Sequence, residues 1–471
     1  MRATLAQILP AIAGARLVNG IAGDYADALG FKGVSTDSRS VAAGALFVAL
    51  RGEVFDAHNF LQQVAQQGVA AVVVEEVPEG WQLPAIVVPN TLVALGQIAN
   101  WWRRQFAVPV IGVAGSNGKT TVKEMIASIL ATAHGEDGRL ATRGNLNNEI
   151  GVPLTLLRMD VQHKSAVIEM GMNHPGEIGR LSTIAQPTIA MVNNAQREHQ
   201  EFMHTVEAVA RENGAVLAGL SADGVAVFPH GDEFTPVWEE LAGVRRTMRF
   251  GLTKEAEVSC TFRAGDFGSE MFITVRDPQA AADAAPLQFF VNLQAAGEHN
   301  VRNALAAVAC TCAAGIAPEA IQLGLDSFTP VGGRLQKKAA ANGAVLVDDT
   351  YNANPDSVRA AIDVLSKAAA PRVLVLGDMG EVGTQGPEFH QEIGAYAQTK
   401  GIEQVLVTGE LASHMKGTAI RHFQQFDDLL AALDAAVTPD ATVLIKGSRF
   451  MKMERVVQHL IGSQQANKES H

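Results

Sequence analysis

The stretch that most limits what this chain can be is Gly112-Val113-Ala114-Gly115-Ser116-Asn117-Gly118-Lys119-Thr120-Thr121. An apolar run at 110–114 leads into it and a helical pattern at 120–133 leaves it. The spacing therefore predicts a strand that ends in a glycine-rich bend and opens a helix. Glycines in such a bend let backbone N–H groups turn inward around phosphate oxygens, and the helix N-terminus adds the positive end of its dipole. Lys119 then stands where it offsets charge on the terminal phosphates, and the Thr120 hydroxyl stands where it ligates Mg²⁺. One detail departs from G-x-x-x-x-G-K-[ST]: the pattern wants glycine at position 113, which is Val113, and Gly112 comes one residue early. A glycine-rich turn that only feeds a helix is the plainer alternative. The context favours ATP binding by Gly115, Ser116, Asn117, Gly118, Lys119, Thr120 and Thr121. What then happens to the phosphate is not stated by the loop.

The rest of the chain surrounds this loop with α/β patterning. Apolar runs at 110–114, 166–168 and 189–192 alternate with helical patterns at 120–133, 176–184 and 205–220. That alternation predicts βαβ units and a parallel sheet with helices on both faces. A more alternating, charged patch at 245–293 predicts added antiparallel strands, among them 271–275 and 287–291, before a helix at 298–315. Upstream, short apolar runs at 45–50, 70–74 and 85–88 alternate with helical segments at 61–67 and 91–106, with Trp101 and Trp102 read as packing residues. Past Gly332, runs at 344–347, 373–376, 405–407 and 443–445 each end in a polar or glycine-rich segment, and such ends line one edge of an open parallel sheet. The reading is an α/β chain of three units: 1–107, a small N-terminal unit; 108–331, a central parallel-sheet unit; and 332–471, a Rossmann-like unit whose polar tail from Ser463 frays. A chain of 471 residues has room for them, at roughly 100–200 residues per domain.

Composition removes several classes. Hydrophobic residues make up 47% of the chain, which excludes disordered and collagen-like sequences. A net charge of −12 argues against a general nucleic-acid or membrane-surface binder. The charge-free run at 80–102 is long enough to cross a bilayer, but Pro84 and Pro89 break it, and Gln82, Asn90, Thr91, Gln97 and Asn100 make it too polar. No Lys/Arg-led apolar leader opens the chain. Cys260, Cys310 and Cys312 cannot form a disulfide framework and read as small buried residues in a reducing compartment. A cytoplasmic monomer is expected, with no nucleic-acid partner and no stable membrane insertion.

The loop Gly115-Ser116-Asn117-Gly118-Lys119-Thr120 resembles that of the Mur ligases and folylpolyglutamate synthetases, ATP-dependent enzymes that form amides. Their shorter G-x-x-G-K-T form removes the mismatch at Val113. Further segments carry the resemblance along the chain: Ser35-Thr36-Asp37-Ser38-Arg39, Thr142-Arg143-Gly144-Asn145-Leu146-Asn147-Asn148-Glu149, Glu169-Met170-Gly171-Met172, His299-Asn300-Val301-Arg302-Asn303 and Lys446-Gly447-Ser448-Arg449. Tyr351-Asn352-Ala353-Asn354-Pro355 and Gly377-Asp378-Met379 resemble in particular the family members that add D-alanyl-D-alanine to UDP-N-acetylmuramoyl-tripeptide, a step of peptidoglycan precursor synthesis. The resemblance implies that the first unit grips the UDP end, the central unit holds ATP with Mg²⁺, and the third delivers the amine. It also implies an acyl-phosphate intermediate. Rival readings are another Mur or folylpolyglutamate-type ligase, a P-loop kinase or ATPase, and a non-catalytic UDP-sugar binder.

Residue roles follow from the same resemblance. Glu169 ends an apolar strand beside the phosphate loop, where a carboxylate suits Mg²⁺ but a structural acid is also common; the resemblance favours the metal. His199 matches the histidine near a second Mg²⁺, although on hardness alone a polar loop histidine is favoured. Asn213 aligns with a position where the family commonly carries a carbamylated lysine. Asparagine cannot be carbamylated, so either a neighbour such as Glu212 substitutes, the second metal site is built differently, or the alignment slips by a turn. Asn300 and Asn303 share a helix face and would read the adenine edge, with helix capping an equal alternative for Asn300. Arg334, at the junction of the second and third units, would clamp a phosphate on closure. Asn145, Asn147 and Asn148 would face the muramoyl substrate, or otherwise serve as turn residues. Ser35, Thr36, Asp37 and Arg39, with Arg51, Asp56 and His58, resemble the uridine-diphosphate site. Asn352, Asn354 and Asp378 are candidates for the dipeptide or for closure, and Lys446 and Arg449 for the dipeptide carboxylate, with solvated surface charge the alternative.

Overall fold

The computed structural model describes residues 1–19, 29–198, 200–265, 267–279, 281 and 283–462. The expectations for His199 and for the tail from 463 lie outside the described residues. The strand Val110–Ala114, buried along its whole length, sits inside a nine-stranded sheet between Ile189–Val192 and Ser165–Glu169. Arg139–Ala141 closes one edge. On the other side follow Val225–Pro229, Arg246–Phe250, Val258–Ala264, Ser269–Val275 and Leu287–Leu293. The last two pair antiparallel, as the alternation at 271–275 and 287–291 predicts. Arg246–Phe250 instead extends the parallel part of the sheet, beside Val225–Pro229. The reason lies just upstream: the helix Thr235–Ala242 supplies the crossover that a parallel connection needs. The pattern at 205–220 becomes a helix, Val206–Gly214, that tightens into a 3-10 turn, Ala215–Gly219. Ser182 pins that turn, donating to the Val216 carbonyl and accepting from the Gly219 N–H.

Helices cover both faces of this sheet. Lys119–His134 and Glu298–Ala313 pack on one, burying Ile126, Ile129, Leu130 and Leu305 against Ile111 and Val227. On the other face the core runs without a break into the first unit, through Leu95 and Ile98 of the helix Thr91–Arg103. That helix lies so close to Glu177–Ala185 that a Cβ on Gly96 would stand 2.8 Å from Ile184 Cδ1. Trp102 donates to the Met159 carbonyl at 2.9 Å, so it is a packing residue with a satisfied polar tip. The charge-free run at 80–102 is the strand Ala85–Val87 followed by this helix, and among the described residues no helix is long and apolar enough to cross a membrane.

The first unit holds a five-stranded sheet in the order Arg16–Val18, Ala85–Val87, Ala71–Val74, Leu46–Val48, Val34–Ser35. The third holds six strands in the order Gln336–Ala339, Val345–Asp349, Thr442–Lys446, Arg372–Leu376, Gln404–Thr408, Ile420–Phe423. Its inner four strands are the apolar runs of the sequence. The two edge strands mix half-buried with exposed residues, and so carry no continuous apolar run to mark them.

Candidate active site

The bend between Val110–Ala114 and the helix Lys119–His134 is held open by two glycines in left-handed backbone space. Gly115 has φ 140° and Gly118 has φ 80°. A Cβ on Gly118 would stand 2.5 Å from Asn303 Oδ1 and 2.7 Å from Asn193 Nδ2. Glycine is required here for both backbone and space. The loop is braced by amides: Asn193 donates to the Asn117 carbonyl (2.7 Å) and to Asn303 (2.8 Å), Asn303 donates to Asn300 (3.0 Å), and Asn300 donates to the Ala296 carbonyl (2.7 Å). Asn300 and Asn303 thus line the cavity while their amides support the loop from beneath.

Lys119 bends back over the loop, donating to the Gly115 and Ser116 carbonyls, with the Glu198 carboxylate 3.6 Å away. Thr120 donates to Glu169 Oε1 (3.1 Å) and accepts from the Arg334 guanidinium (2.8 Å), and Asn147 donates to the same Glu169 oxygen (2.8 Å). Arg334 lies over the Tyr351 ring at 4.1 Å. Glu169 is 2% exposed, and its second oxygen, Oε2, is buried with no hydrogen-bond partner. An orphaned carboxylate oxygen is costly unless a cation or water satisfies it. Mg²⁺ favours oxygen donors and usually takes only one or two carboxylates, the rest of its shell being water and phosphate. Glu169 and Thr120 fit that donor set.

These groups open into a cavity of about 990 Å³ walled by all three units. Leu92 comes from the first, the phosphate loop, Asn145, Asn147, Asn148, Glu169, Asn300 and Asn303 from the second, and Arg334, Asn352, Asn354 and Lys446 from the third. Lys446 is buried and donates to Asp349 (2.6 Å) and to the Asn352 carbonyl (2.9 Å). Burial pushes the Asp349 carboxyl up, against the pull of that ammonium. Asn354 caps the helix Pro355–Ser366 and also donates to Asn117 of the phosphate loop (2.9 Å).

Other candidate residues lie elsewhere. Ser35 ends the first-unit strand Val34–Ser35, Thr36, Asp37 and Arg39 follow it, and all four are outside this cavity. Asp37 and Arg39 pair at 2.8 Å on the surface, which holds the Asp37 carboxyl well below its ordinary range. Nearby, His58 is fixed between Asp56 (2.7 Å) and the Glu75 N–H (3.0 Å), and Arg51 bonds Asp56 (2.8 Å). Asp378 is buried off the cavity, accepting from the Ala412 N–H (2.7 Å). Arg449 is exposed and reaches Glu454 at 3.4 Å. Glu212 accepts from the Gly176 and Ile178 N–H groups at the start of the helix Glu177–Ala185, so its carboxylate serves that helix end. Asn213 is buried, donating to Glu198 (3.2 Å) and Ser116 (3.4 Å).

Sequence reasoning gave no role to Arg197, Glu198 and Asp356, which join the loop's surroundings to the third unit. No motif spacing connects residues so far apart in the chain. The one signal was that Arg197 and Glu198 lie in the segment of His199, and Asp356 in the resembling segment that runs from Tyr351 to Ser357.

A strand–bend–helix of this geometry at the carboxyl edge of a parallel sheet places the chain among the P-loop proteins. Three family models match it: the Mur ligase family catalytic domain at 30–103, the Mur ligase middle domain at 113–311 and the Mur ligase glutamate ligase domain at 333–449. The chain belongs to the Mur ligase family. It is 38% identical over 434 residues to the UDP-N-acetylmuramoyl-tripeptide–D-alanyl-D-alanine ligase of Escherichia coli (strain K12), covering 91% of this chain and 93% of that one. A crystal structure of MurF from Acinetobacter baumannii superposes with TM-score 0.89 at 34% identity, over 98% of this chain and 99% of that one. The MurF ligase of Thermotoga maritima in complex with ADP superposes with TM-score 0.82 at 26% identity, over 94% and 100%.

Proposed function

We propose that the chain joins D-alanyl-D-alanine to UDP-N-acetylmuramoyl-tripeptide at the expense of ATP, through an acyl phosphate, in cytoplasmic peptidoglycan precursor synthesis. The observation that carries the reading is one cavity that brings the phosphate loop, the half-satisfied Glu169 carboxylate and the third unit's Arg334 and Asn352 together, in a chain with ligase relatives over nine-tenths of its length.

A carboxylate is a poor electrophile, so amide formation needs a better leaving group. Backbone N–H groups of residues 118–120 bind the nucleotide phosphates, those of Ser116 and Asn117 being bonded to Asn194. Lys119 swings from the loop carbonyls to the phosphate charge, and Arg334 holds phosphate from the third-unit side. Thr120 and Glu169 are the protein's Mg²⁺ donors, with His199 a further candidate; bound there, the ion would shield charge on the phosphates. Asn145, Asn147 and Asn148 orient the muramoyl peptide so that its carboxylate faces the terminal phosphate. Ser35, Thr36, Asp37 and Arg39 bind the uridine diphosphate in the first unit, 1–107. Asn300 and Asn303 of the central unit, 108–331, bound the nucleotide pocket. Asn352, Asn354 and Lys446 belong to the amine-delivering unit, 332–471, as do Asp378 and Arg449, which lie off the cavity. Positioning supplies most of the rate, and closure keeps water from the acyl phosphate. The protein acts as a monomer.

Mass spectrometry of products from UDP-N-acetylmuramoyl-tripeptide, D-alanyl-D-alanine, ATP and Mg²⁺ tests the proposal. The pentapeptide product with ADP and phosphate is expected. Turnover with single amino acids only, or ATP consumption that runs fully without an amine, refutes it.

A further inference from the structure

Arg197 leaves the central sheet just after Asn193 and Asn194 and inserts its side chain into the third unit. Its guanidinium donates to both Asp356 oxygens (Nη2 to Oδ1, 2.6 Å; Nε to Oδ2, 3.2 Å) and to both Glu392 oxygens (2.7 and 3.2 Å). Its backbone N–H donates to Asp356 as well, at 2.9 Å, and its Cζ lies 5.2 Å from the centre of the Phe389 ring. The side chains of Arg197 and Asp356 are 22% and 23% exposed, so the fork is largely shielded from solvent. Forked, shielded pairs of this kind fix geometry as well as adding attraction.

The neighbours of Arg197 face the other way. The Gln196 N–H donates to Ser116 Oγ (2.9 Å), and the Gln196 side chain accepts from Asn117 (2.5 Å). Glu198 lies 3.6 Å from the Lys119 ammonium and accepts from buried Asn213 at 3.2 Å. One short segment thus grips the third unit through its middle residue and the phosphate loop through its flanking residues. Asp356 is also two residues past Asn354, which bonds Asn117 directly.

We propose that Arg197 is a positioning residue, coupling the seating of the third unit to the placement of Lys119 through the adjacent Glu198. Glu198 follows Arg197 by a single peptide unit, so a shift of Asp356 that drags Arg197 moves the carboxylate against Lys119. With the third unit seated, Glu198 is set and Lys119 is held where it meets the transferring phosphate. The phosphate-loop lysine thereby works fully only when the unit that brings the amine has docked.

The inference rests on the ligase reading and is tested with the full chain through a cycle of Arg197→Met and Glu198→Gln, with Asp356→Asn as a second break in the fork. A misplacement of about an ångström costs on the order of 100-fold in rate, so Arg197→Met and Asp356→Asn are each expected to lower kcat by roughly 10–100-fold. Affinity for ADP is expected to change by less than about 3-fold, since the glycine loop that holds phosphate is untouched. Glu198→Gln should cost less in the Arg197→Met background than alone, and Arg197→Lys should restore part of kcat. Multiplying losses in the cycle, or effects confined to KM or to the melting temperature, would show Arg197 to be adhesive only and overturn the coupling. If Arg197→Met does not fold, Asp356→Asn with full kcat overturns it equally. Wild-type protein that makes no amide fails the ligase reading itself; wild-type turnover with multiplying losses fails only the coupling.

Discussion

Lys119 and Glu169 carry opposite charges in a site that also holds Arg334, Glu198 and Lys446. On the ligase reading Lys119 is the cation that meets the transferring phosphate, so Lys119→Ala is expected to cost about 10²–10³-fold in kcat, the loss of one such stabilising group. Among the described residues its ammonium bonds the Gly115 and Ser116 carbonyls and lies near Glu198, so the unfolding midpoint should hold. Product formation under saturating substrates, set beside a melt, separates the two effects. His299 gives a second test. His299 is half-buried in the cavity wall, and the protein packed around it, reinforced by the Lys446 ammonium, pulls its imidazole down to about 4 from the ordinary 6.5. Between those values the unfolded chain binds the proton and the folded chain does not. The neutral imidazole's contribution is therefore complete above about 6.5 and is lost as pH falls toward 4. In urea titrations at pH 7 and pH 5, wild type should lose more stability across the interval than His299→Gln; equal losses would contradict the shift. The cysteines are quiet by the same physics. Burial pushes Cys260 up to about 11 and Cys312 to about 12, and Cys310 higher still, which leaves little thiolate at neutral pH.

At the scale of elements, function depends on how the strand Val110–Ala114 hands over to the helix Lys119–His134. Gly118 makes the turn at φ 80° with Asn303 and Asn193 packed where a side chain would go. Gly118→Ala must take a backbone conformation that costs about 1–3 kcal/mol for a residue with a Cβ, and must also push Asn303 aside. Both lower stability and nucleotide affinity together, and calorimetric titration with ADP reads the second. Unchanged ADP binding would mean the amide brace is looser than its distances imply. The helix itself was legible in the sequence because glycine, lysine and threonine mark its start and its buried face recurs at helical spacing. The alternating patch at 245–293 predicts antiparallel strands, yet Arg246–Phe250 within it runs parallel, because alternation reports one exposed face and says nothing of strand direction. Direction was set by the crossover helix Thr235–Ala242.

The whole molecule depends on how three sheets are held to one cavity. Arg103, 6% exposed at the end of the helix Thr91–Arg103, donates to the Ala185 (3.1 Å), Gln186 (3.2 Å) and Phe106 (2.6 Å) carbonyls, tying the first unit to the second. Arg103→Met would leave those carbonyls unpaired. At about 1–3 kcal/mol for each buried polar group left without a partner, the loss should lower the denaturation midpoint measurably. Small-angle scattering should show the first unit less firmly held, and an unchanged midpoint would refute the tie.

By itself the sequence determined the local pieces: a phosphate loop, the strands with apolar runs, the helices with periodic faces, and family segments from Ser35 to Arg449. These are written in neighbouring residues, because glycine freedom, capping and burial period act over a few positions. Only the tertiary structure decided which pieces meet. It put Arg334 on Thr120 and Asn354 on Asn117, placed Asp378 and Arg449 away from the cavity, and closed Arg197 onto Asp356 and Glu392. Those contacts join residues well over a hundred positions apart, and the packing of whole sheets sets them, with no local pattern to announce them.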